Sequence, residues 1–283
     1  MSSPAPLPLP DPAIDAVLRR ALDRIHREYP APRAILLKGS LVRGDAGPYS
    51  DIDLDVLVEH RDGSEYAAWF DDEAGRLHHV SVAIHDWDAW WDEAAEPVEW
   101  AMGLAALEVL QVLWARDADD ARRLTGPGIQ HPAAGPELED CFSDLGKVRN
   151  ALLRGDELGV RLAAQGVGRL VPTVLATINP GHPAAPVTSP RAALDAVLAF
   201  LVTPAGYRAD LLRCLGLDGD PSPIHEVATA AERLVLGMIA LLEEHLAQAD
   251  DADGPRFETG LDTALANRTL RAYVHQIHLS TGN

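Results

Sequence analysis

The sequence has little cysteine, few basic residues and no long apolar run, and each shortage argues against a class of protein. Cysteine occurs twice in 283 residues, at Cys141 and Cys214. So few thiols favour reduced residues in a cytoplasmic protein over a disulfide-stabilised secreted one. No apolar run approaches the roughly 20 residues that a membrane helix needs. Residues 1–12 contain no basic residue and no long apolar core, so we do not expect a secretory signal.

Basic residues are outnumbered by acidic ones. The chain has 24 Lys and Arg against 43 Asp and Glu, a formal net charge of −19. A field of this sign repels the phosphates of nucleic acids and of anionic membranes, so neither partner is expected. The same field attracts a cationic small molecule or a basic protein patch, and it also maintains solubility. Charge therefore ranks the possible partners without naming one.

The pattern of apolar residues changes along the chain. Strand-like runs occur at 34–37, 51–58, 78–85 and 107–114, the last also compatible with a helix, and helical spacing occurs at 12–29, 87–100 and 117–124. Beyond a Gly- and Pro-rich stretch at 125–136, only helices are predicted, at 137–154, 157–178, 191–201, 207–215, 224–248 and 261–278. The sequence predicts an α+β fold. A flexible Pro-rich segment (1–12) precedes a mixed-sheet domain with flanking helices (13–130), and a helical-bundle domain (131–283) follows.

The carboxylates with the clearest chemical meaning are Asp51 and Asp53. They are two residues apart, so on a strand both side chains project from the same face and can share one divalent metal ion. Mg²⁺ prefers such oxygen ligands. The residues around the pair are aliphatic, and acids on so apolar a strand usually have a cation to bind. The pattern therefore predicts a Mg²⁺ site held by Asp51 and Asp53.

A second feature, the pair Gly39 and Ser40, precedes these carboxylates. It follows the strand at 34–37 and opens a short helix, whose first backbone N–H groups can bind phosphate. Gly39 lets the backbone approach closely, and Ser40 adds a hydroxyl. Arg43 lies about one turn later and can reach phosphate with its forked guanidinium. The segment predicts a triphosphate site beside the metal.

Together these residues resemble a known signature. Gly39-Ser40, ten intervening residues and then Asp51-Ile52-Asp53 are similar to the motif of the nucleotidyltransferase superfamily, which includes DNA polymerase beta and the aminoglycoside nucleotidyltransferases. The order of a sheet domain and a helical domain is similar to the kanamycin-type enzymes. Gly146-Lys147-Val148-Arg149-Asn150 also resembles a stretch of their helical domain, whose lysine approaches the triphosphate.

The resemblance implies an activity and assigns residues to it. The activity is Mg²⁺-dependent transfer of a nucleoside monophosphate from a nucleoside triphosphate, ATP before the others, to a hydroxyl of a small cationic acceptor such as an aminoglycoside antibiotic. The metal would be bound by the catalytic Asp51 and Asp53, and the nucleotide by Gly39, Ser40, Arg43, Ser50 and Lys147. The resemblance also implies that a homodimer can form.

The sequence departs from the family at the third carboxylate. That acid lies on the strand after the Asp-x-Asp pair, where Ser81 stands here. One or two metal ions therefore remain open. In the kanamycin-type enzymes the general base comes from the helical domain; Ser143 matches its position and the adjacent Asp144 is the predicted base. An exposed helix acid is the alternative for Asp144.

Two other functional hypotheses stay open. The missing acid is also compatible with a catalytically weakened nucleotide- or partner-binding module. A protein adenylyltransferase is the third possibility, which the fused helical domain disfavours because such a domain can fill the partner's role in cis. The histidines at 78, 79 and 85 fit no standard metal spacing and are expected to pack or to face solvent. The tryptophans at 87, 90, 91 and 100 are expected in a core rather than in a base-stacking wall.

Overall fold

The chain folds into two compact units. A computed structural model describes residues 11–126, 128–136, 138–219 and 221–250, with side chains described up to residue 245. The first unit takes in the described parts of Met1–Glu96 and Ala106–Pro132, and the second those of Pro97–Ala105 and Ala133–Asn283. Each unit is considered by itself below.

The first unit is built on a mixed sheet. Its elements are α1 (Pro12–Glu28), β1 (Ala34–Lys38), α2 (Ser40–Arg43), β2 (Ile52–Val58), β3 (Glu65–Glu73), β4 (Arg76–Asp86), α3 (Trp87–Glu93), β5 (Ala106–Glu108), β6 (Gln111–Ala115), α4 (Ala118–Leu124) and β7 (Ile129–His131). Five strands form one sheet in the order β3-β4-β2-β1-β6, while β5 and β7 pair separately. The β2–β4 pair is parallel and the other pairs of the sheet are antiparallel.

Alternation along the strands gives the sheet two faces of different content. The even-numbered residues of β2 join one buried cluster together with α1. Asp11 caps α1 by accepting a hydrogen bond from the backbone N–H of Ala13 at 2.9 Å. On the opposite face, Leu36 and Leu57 pack with Trp87 and Trp90. The carboxylates at odd positions of β2 therefore belong to the tryptophan-covered face.

The second unit is helical over its described residues. It contains a short 3-10 turn (Glu99–Ala101) followed by α5 (Leu138–Leu153), α6 (Glu157–Ala176), α7 (Pro190–Leu198), α8 (Tyr207–Leu215) and α9 (Ile224–Asp250). Helices α5, α6, α8 and α9 pack against one another. A buried ion pair joins α5 to α9, where Arg149 Nη2 lies 2.5 Å from Glu232 Oε2.

The predicted fold class is confirmed, since a mixed N-terminal sheet precedes a helical region. Four details of the first 136 residues differ from the prediction. Strand β3 was not predicted because it lies in a mostly polar segment and, as an exposed edge strand, shows no regular alternation of polar and apolar residues around its run at 66–70. The single strand predicted at 107–114 is divided between β5 and β6, the helix predicted at 87–100 ends at Glu93, and β7 lies within the stretch predicted as a linker.

Four further expectations concern the chain termini, the domain boundary and membrane helices. The helix predicted at 261–278 and most of the segment predicted to be flexible, residues 1–12, lie outside the described residues. The predicted boundary at residue 130 stays a prediction. In the part of the chain that the structure describes, every helix is too short or too polar to cross a membrane.

Candidate active site

The turn between β1 and α2 brings backbone against a carboxylate. Gly39 caps α2 with φ +78° and ψ −156°, a conformation that strains residues with a side chain. A Cβ atom at this position would lie 2.7 Å from Oδ2 of Asp53. Residue 39 must therefore be glycine for two reasons, the backbone conformation and the lack of space beside Asp53.

Asp53 lies in the middle of three adjacent strands. It is paired with Lys38 across the antiparallel β1–β2 ladder and with Ser81 across the parallel β2–β4 ladder. The hydroxyl of Ser81 donates a hydrogen bond of 2.6 Å to Oδ1 of Asp53. The half-buried Asp53 thus has one oxygen beside a hydroxyl and the other beside a glycine.

Asp51 is placed differently from its predicted partner. It precedes β2, which begins at Ile52, and it is exposed. Its position two residues before Asp53 keeps the spacing on which the metal prediction rests, but the strand itself does not fix its direction. Asp53 is therefore the more firmly positioned carboxylate of the pair.

A lysine and a buried acid, which the sequence did not single out, extend the polar part of this face. Asp55 is only 1% exposed. Its Oδ1 lies 3.0 Å from Nζ of Lys38, and its Oδ2 accepts a hydrogen bond of 3.2 Å from the indole N–H of Trp90. Lys38 Nζ also lies 3.7 Å from Oε1 of Glu108. The site thus contains a fixed ammonium among carboxylates.

The charge of Lys38 is favoured by its neighbours. Burial acts to lower the pKa of the ammonium, but Asp55 and Glu108 act in the opposite direction, and the resulting pKa is raised above the ordinary value. Lys38 is therefore protonated at neutral pH. The signal that could have revealed its partner Asp55 is the alternation of Asp51, Asp53 and Asp55 in the sequence, since Asp53 and Asp55 lie on one face of β2.

The other residues predicted around the phosphates are engaged within their own loop. Arg43 forms an ion pair with Asp45, with Nη2 3.3 Å from Oδ1. The Ser50 hydroxyl accepts a hydrogen bond of 2.9 Å from the backbone N–H of Gly47. Ser40 is half-buried at the first position of α2. Arg43 would have to exchange Asp45 for a phosphate group in order to act as predicted.

Asp144 and Lys147 lie one turn apart on α5 of the second unit. Lys147 Nζ donates a hydrogen bond of 2.6 Å to Oδ1 of Asp144. This bond, together with the negative charge of Asp144, raises the pKa of Lys147. A Cβ atom on Gly166 of α6 would collide with the Asp144 carboxylate. The predicted base and the predicted triphosphate ligand are therefore paired with each other.

The histidines and tryptophans are distributed among different environments. Within residues 11–245, apart from those left undescribed, no group of three or more His, Cys, Asp or Glu side chains is arranged to hold a metal ion. A site completed by phosphate oxygens and water needs fewer protein ligands than that. Trp87 and Trp90 are 2% and 4% exposed and lie in a core as predicted, whereas Trp91 and Trp100 are only half-buried and Trp100 lines a cavity.

The second unit contains a cavity of about 600 Å³. Its walls are mostly apolar, and Arg169 and Glu99 form an ion pair of 2.7 Å at its edge. The lining residues are Glu99, Trp100, Met102, Arg169, Pro190, Arg191, Leu194, Leu215 and Leu217. Small-molecule sites commonly have this size and this predominance of apolar side chains.

Two family models match the chain, one in each unit. Residues 18–98 match the family described as "Nucleotidyltransferase domain", and residues 137–244 match "Nucleotidyltransferase, substrate binding domain". These matches support a nucleotidyltransferase superfamily origin for the chain. The first contains Gly39, Asp53 and Ser81, and the second contains Asp144 and Lys147.

The comparison with solved structures gives a distant likeness. The chain is similar to a nucleotidyltransferase-like protein from Exiguobacterium sibiricum 255-15, with 12% sequence identity and a TM-score of 0.37 over 94% of this chain and 92% of that chain. No curated protein sequence matches the chain.

Proposed function

We propose that the protein transfers a nucleoside monophosphate from a Mg²⁺-bound nucleoside triphosphate to a hydroxyl group of a small molecule, releasing pyrophosphate. The observation that carries the proposal is the close approach of Gly39 to Asp53, inside a segment that matches a nucleotidyltransferase domain. A glycine turn beside a carboxylate lets phosphate oxygens and a divalent ion share one place. ATP is the first triphosphate to test.

The donor set fits a magnesium ion. Asp51 and Asp53 offer carboxylate oxygens, and Oδ2 of Asp53 faces a residue without a side chain. When bound, the ion would neutralise phosphate charge and polarise the phosphorus that is attacked. Mg²⁺ in such sites is commonly held by one or two carboxylates together with substrate phosphates. Asp51 and Asp53 are therefore the proposed metal ligands.

The remaining roles are proposed for polar groups that the sequence motif and the family resemblance singled out. The backbone at Gly39 and Ser40 binds phosphate, and Arg43 leaves Asp45 to neutralise it. Asp144 accepts the proton of the attacking hydroxyl, and Lys147 donates to the triphosphate. Lys147 already donates a hydrogen bond of 2.6 Å to Asp144, so it would have to exchange this carboxylate for a phosphate oxygen in order to act as proposed. The homodimer stays a prediction.

The acceptor class follows from charge and from the cavity of the second unit. A net charge of −19 favours a cationic acceptor, and the kanamycin-type resemblance makes aminoglycosides the first class to test. Six of the nine lining residues of the 600 Å³ cavity lie within the match described as a substrate binding domain. Its apolar walls favour an acceptor that also carries an apolar portion.

The direct test is a transfer assay with labelled triphosphates, Mg²⁺ and two acceptor panels, aminoglycosides and hydroxylated compounds with an apolar ring. We expect acceptor-dependent pyrophosphate release that falls at least about 100-fold in Asp53→Asn, because a metal-binding charge is lost. Asp62→Asn, an exposed acid of the same unit, is the matched control and should retain the rate. Equal rates in the two variants would contradict the assignment of Asp53.

Ser81 favours one second candidate, a nucleotide-binding module with weakened turnover. The hydroxyl donates to Asp53 at the place where the family carries an acid, and a hydroxyl is a poorer Mg²⁺ ligand than a carboxylate. Ser81→Asp separates the two candidates. A rise in activity would favour the weakened module, whereas a high wild-type rate that the substitution lowers would favour an enzyme adapted to serine.

A further inference from the structure

Lys38 lies where its charge acts on the whole carboxylate face. It is directly opposite Asp53 in the β1–β2 ladder, and its side chain crosses the diagonal to Asp55, a distance that long side chains can span. Glu108 approaches it from the start of the segment that leads to β6. The imidazole of His85 also approaches this cluster, with Nε2 3.8 Å from Oδ1 of Asp55. The ammonium of Lys38 is the lysine charge that lies among these carboxylates.

Asp55 is not free to bind a metal ion in this arrangement. Its side chain is buried, Oδ1 is paired with Lys38, and Oδ2 accepts the indole N–H of Trp90. The lysine thus holds the carboxylate that stands next to Asp53 on the same strand face. Any ion that bound Asp55 would first have to displace this ammonium.

Ser81 removes a further metal ligand. A second ion beside Asp53 would need an acid on β4, but the residue in register is a serine whose hydroxyl occupies Oδ1 of Asp53 at 2.6 Å. The oxygens left for a divalent ion are Oδ2 of Asp53 and the carboxylate of Asp51. These oxygens are enough protein ligands for one divalent ion but not for two.

We propose that Lys38 is the fixed cation of this site and that the protein binds one divalent ion with its nucleotide rather than two. The inference rests on the proposed function. The ammonium stands where a second ion would be attracted by Asp53, Asp55 and Glu108, and it repels a further cation at short range. Lys38 is a positioning residue, because it contacts the carboxylates and not the substrate, and in this way limits the number of ions that bind.

The test counts ions instead of measuring turnover. The full-length protein is saturated with a non-hydrolysable α,β-methylene analogue of ATP, and bound Mn²⁺ is counted by electron paramagnetic resonance and by titration calorimetry. We expect one Mn²⁺ per bound analogue in the wild type and in Lys38→Arg, which keeps the charge. We expect two in Lys38→Met, because Asp55 and Glu108 become available as ligands.

The outcomes separate the inference from the proposed function. Two Mn²⁺ per analogue in the wild type would overturn the inference alone, as would one in a folded Lys38→Met protein. No analogue binding by the wild type would overturn the proposed function and remove the basis of the inference with it. The wild-type count and the Lys38→Arg count remain decisive if Lys38→Met does not fold, because two ions in Lys38→Arg would also contradict a charge-based role.

Discussion

At the scale of single residues, the site is a balance of one ammonium against several carboxylates. Asp55 is almost fully buried and would be costly to ionise alone, since an unpaired charge in a protein interior loses its hydration. Lys38 compensates it at 3.0 Å, and Trp90 satisfies its other oxygen. Lys38 therefore contributes both to the electrostatics of the site and to the stability of the fold.

Removing the lysine should destabilise the protein. Lys38→Met leaves Asp55 buried without its cation, and breaking one side of such a pair costs about 3–5 kcal/mol of the free energy of unfolding. Arg19→Met is the control, because Arg19 forms an exposed ion pair with Asp15, which is worth at most about 1 kcal/mol. Urea denaturation of the full-length variants measures both. A loss below 1 kcal/mol in Lys38→Met would contradict the pairing.

The pH dependence of that loss follows from the direction of the pKa shift. The pKa of Lys38 is raised above its ordinary value of 10.5, so its contribution to stability is complete below that pH. The contribution is lost only as the pH rises through the higher pKa of the folded state. We expect the stability difference between wild type and Lys38→Met to stay constant from pH 7 to about pH 10 and to shrink above it. A difference that vanishes near pH 8 would indicate a lowered pKa.

At the scale of secondary structure, the turn from β1 to α2 is part of the fold and also forms one side of the candidate site. Gly39 and Gly44 cap the two ends of α2 with φ of +78° and +80°. Only Gly39 approaches another residue; a Cβ atom on Gly44 would meet nothing within 4 Å. The two glycines therefore share a positive φ, but Gly44 is left-handed, whereas Gly39 has a ψ of −156° that is essentially restricted to glycine and also contacts Asp53.

This difference provides a matched pair of substitutions. Gly44→Ala should lose about 1–2 kcal/mol of the free energy of unfolding, because alanine is strained in the left-handed region. Gly39→Ala should lose more, because its backbone region is essentially restricted to glycine. Gly39→Ala should in addition lose nucleotide binding by at least about tenfold, since its methyl group displaces Oδ2 of Asp53. Denaturation and nucleotide titration on both variants measure the two effects. Equal nucleotide affinities would show that the approach to Asp53 has no functional role.

The secondary structure shows which elements a sequence can predict. Strands β1, β2 and β4 are predicted from their apolar runs because they are central and buried, and α1 from its 3.6-residue spacing. The edge strand β3 also contains an apolar run, at 66–70, but its side chains are largely exposed and polar segments flank it, so the run did not indicate a strand. The division between β5 and β6 depends on which strands pair, and the predicted single run contains no sign of it.

The candidate site was predictable to a similar extent. Gly39, Asp53 and Ser81 were identified through the spacing of the motif and of the following strand, and the structure brings these three together. Lys38 and Asp55 were missed because their contact is a diagonal across two strands. Such a contact depends on the register between strands, which local patterns do not specify.

At the scale of the whole molecule, a nucleotidyltransferase domain match and a substrate-binding domain match occur in one chain with a charge of −19. A negative field acts over about 10 Å at 0.1 M salt and concentrates cationic molecules near the surface. It also opposes the approach of a nucleoside triphosphate, so the triphosphate site needs local cations. Mg²⁺, Arg43 and Lys147 are the proposed ones.

The charge predicts how the acceptor responds to salt. For a polycationic acceptor, KM should rise by several-fold up to about tenfold between 50 and 300 mM salt, because the attraction is screened. For an uncharged acceptor of similar size, KM should hardly change, so it serves as the control. Initial rates over the salt series measure both. A salt-independent KM for the polycation would show that the acidic surface does not recruit the acceptor.

Nucleotide binding at Gly39 and Asp53 is the central claim, and thermal unfolding with ATP, GTP, CTP and UTP, each with and without Mg²⁺, tests it most directly. A ligand at 100 times its Kd stabilises the folded state by about 2.7 kcal/mol. We therefore expect at least one triphosphate to raise the unfolding temperature by several degrees in the presence of Mg²⁺, and Asp53→Asn to lose the effect. No shift with any triphosphate, or the same shift in Asp53→Asn, would contradict the account.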